Sequence, residues 1–136
     1  MEFITDRTEA DALLGTLKGT YLASDLNRVE SAVEAIQAEF PDLGISVHLP
    51  TKTDWKPPED FAAFRWVVQS EMKRYLDNVK AILFLFPMTI SLPESMDHLD
   101  WRGANNIERV LQTATSRISA IKQSYFYSGE IYAGEE

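Results

Sequence analysis

Apolar residues recur along much of this chain at alternating steps of three and four, the spacing that gathers them on one face of an α-helix. The clearest stretch is Leu26, Val29, Val33, Ile36 and Phe40, with Ser24 placed to cap its first turn and Pro41 to end it. A second stripe, Phe61, Phe64, Val68, Met72, Tyr75, Val79, Ile82 and Phe86, predicts a helix over 70–85, whose start lies either at Ser70-Glu71 or as early as Pro58. A third, Ala104, Ile107, Leu111, Ala114, Ile118 and Ile121, follows Asp100, a capping residue. Ahead of these, Asp6 and Glu9 have capping-box spacing before Ala10, Leu13, Leu14 and Leu17, so a short N-terminal helix is expected to stop near Lys18, between Gly15 and Gly19.

Two segments follow the other period. Ile45, Val47 and Leu49 alternate with Ser46 and His48, which predicts a half-buried strand near 45–49, closed by Pro50. The polar stretch from Thr51 to Pro58 reads as a loop whose Trp55 plugs a gap in the core. Tyr125-Phe126-Tyr127-Ser128-Gly129-Glu130-Ile131-Tyr132 predicts two short strands about a Ser-Gly turn, with Phe126 facing Ile131. The fold class is therefore mainly α: a small bundle of three main helices plus a short N-terminal helix, with minor β. It divides into a bundle domain over 1–123 and an aromatic tail over 124–136.

The three main helices share a local pattern, Leu26-Asn27-Arg28-Val29-Glu30, Leu76-Asp77-Asn78-Val79-Lys80 and Ala104-Asn105-Asn106-Ile107-Glu108. Their unequal separations argue against a tandem repeat and for helices that present similar stripes to one another. Asn is a poor helix former because its side chain competes for backbone hydrogen bonds, so its presence at equivalent sites needs a reason. Asn27, Asn78, Asn105 and Asn106 either bond across helices or to the long loops, fixing register, or stand in solvent, or mark a ligand site.

Composition narrows the function. At 136 residues the chain fits one domain, and 45% hydrophobic with 25% charged residues is ordinary for a globular protein. Asp and Glu number 21 against 13 Lys and Arg, a formal charge of -8 that sets the surface against phosphate backbones and anionic lipid. Neither nucleic acid nor membrane is an expected partner. The absence of cysteine excludes disulfides and thiolate chemistry. The start Met1-Glu2-Phe3-Ile4-Thr5-Asp6 lacks the basic and apolar regions of a secretory signal, and the apolar run Ala81 to Phe86 is far short of the ~20 residues that span a bilayer. Synthesis and folding in the cytosol are expected.

No constellation points to catalysis, a cofactor or a metal. His48 and His98 are too far apart in sequence for a helical ligand pair. Asp97-His98-Leu99-Asp100 has no serine in a nucleophile elbow nearby, and Asp100 is already assigned as a cap. Gly15 to Gly19 is not followed by the Lys-Ser/Thr of a phosphate loop, and a pair of carboxylates for glycoside hydrolysis is decided by distance in space, not by counting. Tyr125, Phe126, Tyr127, Ile131 and Tyr132 stand out, because tyrosine suits a contact that buries an apolar ring and leaves its hydroxyl wet. They form either a docking surface or a flap over the chain's own bundle. A platform for cell-wall carbohydrate, drawing also on Trp55, Trp66 and Trp101, is a third reading.

Further blocks are Ile4-Thr5-Asp6-Arg7-Thr8, Leu17-Lys18-Gly19-Thr20-Tyr21 leading into Ser24-Asp25-Leu26-Asn27-Arg28-Val29-Glu30, Lys52-Thr53-Asp54-Trp55, Glu71 to Val79, Leu92-Pro93-Glu94-Ser95-Met96 and Gly103 to Glu108, with the ending Phe126 to Glu135. In this order they touch most of the chain. They resemble a family of small proteins and domains encoded in the tail and baseplate regions of phages and prophages of Gram-positive bacteria. The chain departs from that pattern between Trp55 and Ser70, where it carries extra residues including Phe61 to Val68. The resemblance implies a virion or phage-like particle as location, other tail or baseplate proteins as partners, and a possible homo-oligomer. It brings no catalytic residue with it.

Overall fold

The structure, a computed structural model, describes residues 3–10, 23–55, 65–96 and 99–135; the side chains of 23, 65–69 and 125–135 lie outside that description. The described helices are α1 (Ala23–Gln37), α2 (Phe40–Leu43), α3 (Arg65–Leu85) and α4 (Trp101–Glu135). Helix α4 packs against both α1 and α3, and α1 touches α3 along a shorter seam. The three- and four-step stripes meet in the middle: Leu26, Val29, Val33 and Ile36 from α1, Tyr75, Leu76, Val79 and Ile82 from α3, and Ile107, Val110, Leu111, Ala114 and Ile118 from α4 are all buried. Each buried aliphatic side chain contributes roughly 1.5–3 kcal/mol. Phe40, Leu49, Trp55 and Phe86 seal the same core from the connections.

The mainly helical bundle stands as the stripes predict, and its margins differ from expectation in four places. Helix α1 begins at Ala23, so Ser24 lies inside it and is not its cap. It stops at Gln37, ahead of Pro41, because a helix carried through Pro41 would lose an N–H and press the proline ring on the carbonyl four residues back, that of Gln37. Pro41 instead sits in the first turn of α2, where a missing N–H costs nothing. Gly44 closes α2 in the left-handed region (φ 72°), and Ile45 N–H reaches back to Phe40 O at 2.9 Å.

The alternating segment 45–49 is not a strand, and no strand occurs among the described residues. Ile45 and Leu49 turn inward but Val47 is 41% exposed, and among the described residues no neighbouring segment supplies a ladder. The C-terminal hairpin is likewise replaced: α4 continues without interruption across the expected boundary at 123–124 to Glu135. Extending an existing helix adds one hydrogen bond per residue fixed, while a lone two-stranded hairpin is marginal in water. Gly129 costs a helix only about 1 kcal/mol relative to alanine, too little to break it.

Helix α3 runs unbroken from Arg65 through Ser70, so its start lies before Ser70-Glu71; the alternative at Pro58 lies outside the described residues. Asp100 caps α4, its Oδ1 accepting the Gly103 N–H at 2.8 Å. Gly103 also admits the preceding connection, since a Cβ there would stand 3.0 Å from Leu99 Cδ1 and 3.4 Å from Pro93 Cγ. Residues 9–10 have helical backbone, and the remainder of the expected N-terminal helix lies outside the described residues.

Candidate functional site

The densest polar chemistry lies between the N-terminal arm, residues 3–7, and the facing sides of α1 and α4. Arg7, Asp25 and Glu108 are buried and Arg28 is largely so. Glu108 Oε1 accepts Arg28 Nε–H at 2.7 Å and the Ile4 backbone N–H at 3.0 Å. Its Oε2 accepts from Arg7 at 2.7 Å and Arg28 at 2.9 Å. Asp25 Oδ1 accepts from the same Nη2 atom of each guanidinium that donates to Glu108 Oε2, at 2.5 Å from Arg28 and 3.4 Å from Arg7. Two cations thus neutralise two carboxylates, which is the condition for holding such groups out of water. The Glu108 hydrogen bond, opposed by burial and reinforced by Asp25, raises the Arg28 pKa above the ordinary guanidinium value.

A second cluster joins α1 to α3. Glu30, 1% exposed, accepts two hydrogen bonds from Arg74 at 2.7 and 3.0 Å, one from Trp55 Nε1–H at 2.5 Å and one from the Lys52 backbone N–H at 3.1 Å. Arg74 also donates to Glu71 and to Pro50 O. Burial depresses the Arg74 pKa, but the hydrogen bonds and charges of Glu30 and Glu71 outweigh it and the net shift is upward. The Lys52 ammonium lies 4.9 Å from the centroid of the Trp55 ring.

Carboxamides complete the scheme. Asn105 accepts the Arg7 N–H at 3.0 Å and donates to Arg7 O at 2.9 Å. Asn27 does the same for Trp55, at 2.7 and 3.0 Å, and Gln37 for Leu49, at 2.5 and 3.1 Å. Each carboxamide offers one donor and one acceptor side by side, so it pairs with a single residue's N–H and C=O as a neighbouring strand would. That is how residues 45–55 satisfy part of their backbone without a sheet. Asn78 donates to Pro50 O at 2.6 Å and Asn106 to Ser91 O at 2.9 Å.

The four asparagines therefore do not converge on one point. Asn27 and Asn78 hold the two ends of the 50–55 segment, Asn105 holds the arm, and Asn106 holds the connection before α4. His48 is exposed in the 45–50 segment, and His98 lies outside the described residues. Trp55 is buried and bonded to Glu30, so it offers no face to a sugar. Tyr125, Phe126, Tyr127, Ile131 and Tyr132 lie on helical backbone with side chains outside the description. Arg7, Asp25, Arg28, Glu30 and Glu108 were not apparent as a set from sequence; the available signal is that the α1 and α4 members sit beside stripe residues Leu26, Val29 and Ile107.

Among the described residues a cleft of about 250 Å³ between α1 and α4 is lined by Ile36, Glu39, Ile118 and Lys122, and Lys122 pairs there with Glu39. Phe84 on α3 is 82% exposed. Among the described residues no cluster of His, Asp and Glu could hold a metal ion, and no helix is long and apolar enough to cross a membrane. Compared with protein families, with curated proteins and with solved structures, the chain matches none.

Proposed function

We propose that this chain is a non-enzymatic structural component of a phage tail or baseplate assembly, or of a prophage-derived particle, and that it docks there in several copies through the C-terminal part of α4. Support comes from the resemblance of its sequence blocks to small tail-associated proteins and from the proportions of α4. At 35 residues and 1.5 Å per residue α4 is about 50 Å long, whereas α1 has 15 residues and α3 has 21. Lys122 of α4 pairs with Glu39. Beyond Lys122 the helix carries Tyr125, Phe126, Tyr127, Ile131 and Tyr132. An aromatic-rich helical segment suits a partner groove, in which a few anchors carry most of the binding. Glu108 and Glu30, the deepest carboxylates among the described residues, each accept from arginine and other protein donors, which supports an architectural role for them.

The test is co-purification of the intact chain with proteins encoded beside it, measured by size exclusion with light scattering. A complex of defined stoichiometry that is lost on removal of residues 124–136 supports the reading. A strict monomer that binds none of these proteins overturns it. Retention on cell-wall polysaccharide, abolished by Tyr125→Ala or Tyr132→Ala, would replace it with glycan recognition.

A further inference from the structure

We draw no further inference here: the strongest candidate, the cleft between α1 and α4 walled by Ala35, Ile36, Thr115 and Ile118 beside the Lys122–Glu39 pair, carries nothing because no feature among the described residues shows what covers it.

Discussion

Asn27 shows how much one side chain does here. Its carboxamide satisfies both backbone groups of Trp55, whose ring then fills the core and whose indole N–H reaches Glu30. In Asn27→Asp the donor becomes a second acceptor aimed at the Trp55 carbonyl, so a loss of about 1–3 kcal/mol is expected in urea unfolding. Glu108 carries more: Glu108→Ala leaves Asp25 to face both the Arg7 and Arg28 guanidinium groups, an excess of positive charge that should cost about 3–5 kcal/mol, with strong non-additivity against Arg28→Met in a double-mutant cycle. At this level the sequence is only partly legible. Asparagine in a helix advertises that something must be bonded, but nothing near Asn105 or Glu108 in sequence names Arg7. Its α4 partners lie about a hundred positions away, and a lone arginine reads as a solvated charge until the fold brings them together.

Among the helices, the stripes of α1, α3 and α4 were legible because each keeps a three-and-four spacing that only a helix turns into one face. The ends were less so. Tyr125 to Tyr132 has the aromatic and β-branched residues of a strand and a Ser-Gly turn signal, yet a helix already capped at Asp100 and packed as far as Ile118 propagates through it. Gly129→Ala separates these states: it should raise helical circular dichroism and stabilise by up to about 1 kcal/mol, whereas a hairpin turn would be weakened. The 45–49 segment misleads for another reason, as its alternation is compatible with extended chain but the bonds of Leu49 go to Gln37. The α1–α4 seam also gives a pH dependence. Hydrogen bonding to Glu39, against slight desolvation and with the charges of Glu39 and Asp42, raises the Lys122 pKa from 10.5. A raised folded-state pKa means that the pair's contribution is complete below 10.5 and fades as pH climbs through the raised value. Thermal melts of the wild type and Glu39→Gln should therefore differ slightly at neutral pH and converge above that range, the difference being small because Lys122 is solvent-exposed.

In the molecule as a whole, α1 is the ionic hub: Asp25 and Arg28 face α4 and the arm, while Glu30 faces α3. Among the described residues, Arg7 and Arg28 offset Asp25 and Glu108, and Arg74 offsets Glu30, so these buried ion pairs sum to zero and add nothing to the formal charge of -8. This is why the chain packs charged groups inside yet should repel polyanions outside. The side-chain clamps leave one more trace. The amides of Ile4, Arg7, Leu49, Lys52 and Trp55 all sit outside regular helix and all donate to side-chain oxygens anchored in α1 or α4. In deuterated buffer they should retain their protons far longer than irregular backbone normally does, and exchange together with the helices that own their acceptors. Solvent labelling followed by mass spectrometry or NMR would then show isolated slow-exchanging positions strung along the connections, a pattern that Asn27→Asp should erase at Trp55 while leaving Arg7 untouched.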